Sequence, residues 1–135
     1  MKISGLLVLS IVLFVYGDDP HASIRANCRN ELNLTDQELI DAIPDPINMD
    51  CYLYCFLMDI NVMDIKGNFN PAAAVQSIQD ELKDAAKPNI YACYEQTKEN
   101  MDEEPCTRAY DVIKCFQTRS PDLYEKLGIF RPPTI

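Results

Sequence analysis

The residues with the clearest capacity for chemistry are six cysteines: Cys28, Cys51, Cys55, Cys93, Cys106 and Cys115. The gaps between them are 22, 3, 37, 12 and 8 residues. An even set downstream of a leader-like segment reads as a disulfide framework. Metal chemistry fits poorly, because a C-x3-C step with isolated flanking cysteines is not zinc-ligand spacing. Nucleophilic catalysis fits no better. A Ser-His-Asp or Cys-His set must use the single histidine, His21, which lies in the fraying region near the expected mature N-terminus. These residues point to no enzyme, no metal and no cofactor.

The compartment follows from the first residues. Met1-Lys2 is a short basic start, and Ile3 to Tyr16 is almost wholly apolar. Val15-Tyr16-Gly17 then precedes the acidic Asp18-Asp19. Residues 1–17 read as a signal peptide, which makes the protein secreted and extracellular. The apolar run is shorter than the roughly 20 residues a membrane-spanning helix needs. Residues 18–135 then form a single domain. The chain carries 21 acidic against 12 basic residues, and cleavage removes Lys2 from the basic side. An acidic chain without a basic cluster argues against nucleic acid and against stable membrane insertion. Solubility is the simpler reading of the charge.

Helix punctuation is dense along the mature chain. Asp19-Pro20 signals a first helix carrying Ile24, Cys28 and Leu32. Thr35-Asp36-Gln37-Glu38 is a capping box for a second, ended by Pro44 and Pro46. A third is expected from Cys51 to about Met63, with Tyr52, Phe56, Ile60 and Met63 on one stripe. Asn70-Pro71 opens a fourth, with Ala74, Val75, Ile78 and Leu82 on one face, which Lys87-Pro88 is expected to break. A fifth carries Ile90, Tyr94, Thr97 and Met101. A sixth begins at Pro105 with Ala109, Val112, Ile113 and Phe116, and Ser120-Pro121 opens a short last one. No segment alternates with period two. The fold class is therefore all-α, a compact bundle of about six to seven short helices.

Helix geometry restricts the disulfides. Six cysteines allow fifteen pairings. Cys51 and Cys55 lie one turn apart on the same helix and point the same way, which disfavours their mutual bond. Cys106 and Cys115 would be about 13 Å apart on a continuous helix, against a bridging limit of roughly 7 Å. Excluding both bonds leaves ten of the fifteen pairings. In every one, the third and sixth helices are each tied twice to other parts of the chain.

A leader, six cysteines with x3 and x8 at the second and fifth gaps, and an acidic all-helical chain together resemble the insect odorant-binding protein family, its pheromone-binding and general-odorant-binding group. The resemblance covers the whole mature chain. It implies three interlocked disulfides, Cys28–Cys55, Cys51–Cys106 and Cys93–Cys115, around an apolar cavity. It also implies a function: carriage of small hydrophobic molecules, odorants or pheromones, through aqueous fluid to receptors. The implied partners are a small hydrophobic ligand and an odorant receptor, and a homodimer is compatible with the family.

The candidate ligand wall is Phe56, Ile60, Met63, Phe69, Val75, Ile78, Tyr94, Met101, Ile113, Phe116 and Phe130, a set in which Met and aromatic residues adapt to varied shapes. Tyr52, Tyr91, Tyr94, Tyr110 and Tyr124 can each donate one hydrogen bond to a ligand oxygen. The family theme of acid-triggered release would rest here on Asp122, Glu125, Asp102, Glu103 and Glu104 holding the tail closed until protonated. Residues 129–135, apolar at Ile129, Phe130 and Ile135, read either as a lid over the cavity or as a frayed end. Asn33-Leu34-Thr35 matches the glycosylation acceptor pattern, with Thr35 already engaged as a cap. A second function class competes: a secreted signalling or interaction protein on the same scaffold, with no small-molecule ligand.

Overall fold

The computed structural model describes residues 19–100 and 103–132; the expected leader (1–17), Met101, Asp102 and residues 133–135 lie outside them. Among the described residues seven helices follow in order: α1 (Ala22–Glu31), α2 (Asp36–Ala42), α3 (Asp50–Asp59), α4 (Pro71–Gln76), α5 (Asp80–Thr97), α6 (Pro105–Arg119) and α7 (Pro121–Leu127). No strand occurs among the described residues, where an isolated antiparallel bridge joins Met63 and Phe69. No described helix is long and apolar enough to cross a membrane.

Local chemistry sets several of the helix starts. Thr35 Oγ1 accepts the Glu38 amide at 3.1 Å and Glu38 Oε1 accepts the Thr35 amide at 3.0 Å, closing the capping box of α2. Asn70 Oδ1 accepts the Ala73 amide at 3.1 Å ahead of α4. Pro71, Pro105 and Pro121 each stand in the first turn of a helix, where the missing N–H removes nothing.

Three boundaries differ from expectation. α1 begins at Ala22 with His21 as its cap residue, and the Asp19 carboxylate is drawn to Arg25 in the next turn. α3 stops at Asp59, short of Met63. Asn61 takes a left-handed φ of 63° there and the chain reverses. The Asp64 carboxylate collects the amides of Lys66 (3.0 Å) and Asn68 (2.9 Å), and Tyr54 donates to the Ile65 carbonyl at 2.7 Å. Gly67, at φ 85°, then lies so close to α6 that a Cβ would sit 2.9 Å from Pro105 Cα. Only glycine fits that docking.

The third difference is Pro88, which does not break a helix: α5 runs through it, and the break falls earlier, at 77–79. Proline deprives the carbonyl four residues back of its partner. Here that carbonyl belongs to Asp84, and both residues are exposed, so water can replace the lost bond. Ile90 and Cys93, further along α5, are buried and anchor the helix.

The sulfurs pair as Cys28–Cys55, Cys51–Cys106 and Cys93–Cys115, the connectivity that the family resemblance implies. The bonds join α1 to α3, α3 to α6, and α5 to α6. α3 and α6 also make the most extensive helix–helix contact. Around them lie the fully buried Leu39, Tyr52, Leu53, Val62 and Cys93.

Candidate functional site

Between α3, α4, α5 and α6 lies a cavity of about 410 Å³. Its floor is apolar: Phe56 and Leu57 from α3, Val62 and Phe69 from the following loop, and Ala74 from α4. Ile90 and Cys93 close it from α5, and Val112, Ile113 and Phe116 from α6. Leu127 and Ile129 complete it from α7 and the tail.

Its polar lining residues are exposed or half-buried, apart from Arg25, and so mark where the cavity meets water. One group, Gln76, Ser77, Gln79, Asp80 and Lys83, sits at the α4–α5 break. Lys83 donates to Asp80 at 2.8 Å, and this bond holds the Asp80 carboxyl below the usual carboxylate value. The other group, Asp19, His21, Arg25 and Arg131, comes from the first and last described segments.

The first and last described segments meet at Arg25, a buried charged residue at 2% exposure. Its Nη1 donates to Asp19 at 2.9 Å, and its Nη2 bonds the same carboxylate. Its Nε donates to the Arg131 carbonyl at 2.8 Å, across 106 residues of sequence. Arg131 adds an ion pair with Asp19 at 3.8 Å. The Arg25 hydrogen bond and the charges of Arg25 and Arg131 pull the Asp19 pKa below its ordinary value, against burial.

The tail is further fixed by Tyr52, which donates to the Ile129 carbonyl at 2.7 Å and stacks on Phe130 at 5.2 Å. Gly128, at φ 64°, ends α7 and turns the chain into this path. Residues 129–132 are thus not frayed: Ile129, Phe130 and Pro132 are buried and Ile129 lines the cavity, while residues 133–135 of the expected lid lie outside the described residues. Among the described residues the carboxylate that reaches the tail is Asp19, not Glu103, Glu104, Asp122 or Glu125, and Asp102 lies outside them. Glu103 instead shares a hydrogen bond with Asp111, which raises its pKa.

His21 is not a solvated terminal residue. It is half-buried, lines the cavity and meets Phe56 edge to face at 5.8 Å. Burial first, and the Arg25 charge second, hold its pKa below the usual 6.5.

Of the expected wall, Phe56, Ile60, Phe69, Ile78, Ile113 and Phe116 line the cavity. Five do not. Met63 and Tyr94 face a separate surface groove with Lys98 and Arg108, because α3 ends before Met63 can continue its stripe. Val75 packs partly buried against the core. Phe130 stands behind Tyr52. Met101 lies outside the described residues. No methionine and no tyrosine lines the cavity among the described residues, so the wall is aliphatic and phenylalanine-rich. Leu57, Val62, Ala74, Ile90, Val112, Leu127 and Ile129 were missed. Ala74, Ile90 and Val112 already stood on the expected helix faces. The polar rim carried no local sequence signal.

Among the described residues, one cluster of donor atoms is close enough to hold a metal ion. Asp59 lies beside Cys28 and Cys55, but these two sulfurs are bonded to each other, and no described cysteine is free.

The PBP/GOBP family model matches residues 19–119. No curated protein sequence matches the chain at a significant level. A crystal structure of a Locusta migratoria odorant binding protein is similar, with a TM-score of 0.71 over 84% of this chain and 89% of that one, at 21% sequence identity. At that identity the likeness speaks for the fold. The family match spans most of the sequence and takes in all six cysteines, and on that ground the chain belongs to the PBP/GOBP family of odorant-binding proteins.

Proposed function

We propose that the protein is a secreted carrier that holds small hydrophobic molecules, odorants or pheromones, in its central cavity and takes them through aqueous fluid to receptors. The observation that carries this reading is the apolar cavity of about 410 Å³, walled in part by α3 and α6, the two helices that are each tied twice by disulfides. Phe56, Ile60, Phe69, Ile78, Ile113 and Phe116 form the proposed wall, joined by Leu57, Val62, Ile90 and Val112. A ligand of about 10–20 heavy atoms at roughly 0.4 kcal/mol per atom binds with a dissociation constant between about millimolar and micromolar. Such affinities suit release at a destination.

The test is saturable binding of an apolar fluorescent probe and its displacement by volatile alcohols and esters. Ala74 lines the cavity at 7% exposure. Ala74→Phe, which fills the space, is expected to weaken the probe at least about tenfold while leaving the helical circular dichroism intact. A protein acting only through its outer surface would show no saturable probe binding, and that result favours the signalling alternative.

The pH profile separates two groups. A histidine with a lowered folded pKa takes its proton first in the unfolded state. His21 therefore begins to cost stability as pH falls below 6.5, and the loss is complete at its lower folded value. Asp19 has the opposite window. Its contribution is full above 3.8 and is lost as pH falls through its still lower folded pKa. The clasp therefore survives at pH 5. Probe affinity is expected to weaken as pH falls through the lowered folded pKa of His21, and His21→Phe should flatten that part of the profile. Release at pH 5 that persists in His21→Phe would contradict this assignment.

A further inference from the structure

The two polar rims of the central cavity differ in how their charges are balanced. At the α4–α5 break, Lys83 and Asp80 pair one to one at 2.8 Å. At the other rim two guanidiniums, those of Arg25 and Arg131, face the single carboxylate of Asp19. Arg25 takes both Asp19 oxygens. Arg131 Nη1 is left 3.8 Å from Asp19 Oδ2, beyond hydrogen-bond reach, and Asp19 is its one ion-pair partner among the described residues. This rim therefore carries one positive charge in excess, on a chain whose formal net charge is -9. The Arg131 side chain is 44% exposed and lines the cavity. It is also seated over Gly128, where an added Cβ would lie 2.7 Å from Arg131 Nη2. The under-paired cation is thus held at the cavity mouth.

We propose that the cavity takes an aliphatic carboxylate, with the anionic head on the Arg131 guanidinium and the hydrocarbon chain in the apolar interior. This inference rests on the carrier reading and names a ligand class for the same site. An arginine fork binds a carboxylate through two parallel N–H bonds, which fixes the orientation of the head as well as its charge. Apolar pockets set ligand orientation with a few polar groups of this kind. Arg25 and Asp19 cancel one another and leave Arg131 to act on the ligand. An apolar path leads inward from that position: Leu127 and Ile129 shortly precede Arg131 in the chain, Phe56 meets His21, and all three line the cavity. At the opposite rim the Asp80 carboxylate already engages Lys83 and opposes a second anion. A neutral alcohol or ester leaves the Arg131 charge unanswered.

The test is isothermal titration calorimetry on the full mature chain at pH 7.5, where His21 is neutral, with decanoate, decanol and methyl decanoate. The readout is the affinity for decanoate relative to that for decanol, which cancels changes in the cavity itself. Arg131→Met keeps the stem and the backbone carbonyl that Arg25 uses. It is expected to lower this ratio about fivefold, and Arg131→Lys should recover part of the loss. Added salt should lower the ratio in the wild type and much less in Arg131→Met. An unchanged ratio in Arg131→Met would overturn the proposal. So would an equal loss in Lys83→Met, which would move the head to the other rim. Equal weakening of all three ligands by Arg131→Met would make the residue a strut and would also overturn it. Saturable decanol binding with a ratio indifferent to Arg131 defeats this inference alone, whereas no saturable binding of any of the three defeats the carrier reading with it.

Discussion

Arg25→Met is expected to lower the melting temperature by about 8–12 °C and to speed ligand exit about tenfold. Methionine keeps most of the buried stem and removes only the guanidinium. Three bonds disappear: two to Asp19 and one to the Arg131 carbonyl. Breaking a fully buried ion pair costs about 3–5 kcal/mol. The Asp19 side chain is 33% exposed and can rehydrate, so the loss is nearer about 2–3 kcal/mol.

Tyr52 still holds the tail at Ile129 and Phe130 after this change, so the first segment to loosen is 19–21, with His21 at the cavity rim. Arg25→Lys should rescue little, because one ammonium cannot reproduce a planar fork that serves a carboxylate and a carbonyl together. Thermal unfolding and stopped-flow probe release measure the two effects. Wild-type values for both would show that the clasp is decorative.

Removal of the Cys51–Cys106 bond is expected to be the more damaging change. It spans 55 residues, and on the loop-entropy scale such a crosslink contributes about 4 kcal/mol. A small domain has only about 5–15 kcal/mol in total. A cavity of about 410 Å³ costs on the order of 10 kcal/mol at about 24 cal/mol per Å³. Three disulfides at about 2–4 kcal/mol each are of the same size.

Cys51→Ala with Cys106→Ala should therefore drop the melting temperature by about 15 °C and weaken probe binding, because α3 and α6 lose the tie at their N-terminal ends. Saturating ligand should restore part of the loss, as any binder of the native state does. An unchanged melting temperature would mean that the cavity is kept open by packing alone.

What could be read from sequence was local or covalent. The Thr35–Glu38 box, Asn70-Pro71 and the helix starts at Pro105 and Pro121 act within one turn and hold in the structure, whereas the Asp19-Pro20 start does not. The cysteine gaps bounded the disulfides, and family resemblance selected one set among ten pairings. Helix faces were legible on α4, α5 and α6, but their aim was not. Periodicity shows that Ala74, Ile90 and Val112 are buried, not that they face a void. Met63 was misplaced because Asn61 turns left-handed, a choice set by the loop that docks Gly67 on Pro105. Pro88 was misread because its effect depends on which side of the helix meets water. The Asp19–Arg25–Arg131 clasp joins residues 106 positions apart, a distance at which no pattern in the chain reports.

The interlocking of the disulfides also bears on how the chain matures. On the proposed secretory route, Cys28 and Cys51 are the first two thiols to reach an oxidising compartment, yet neither is the other's native partner. Cys28 must wait for Cys55, and Cys51 must stay reduced until Cys106 arrives, or be freed from a wrong bond by thiol exchange. Order of synthesis and order of pairing disagree from the first bond. The yield of correctly oxidised protein is thus governed by thiol shuffling as much as by native stability, and a host lacking a disulfide isomerase should accumulate the Cys28–Cys51 isomer.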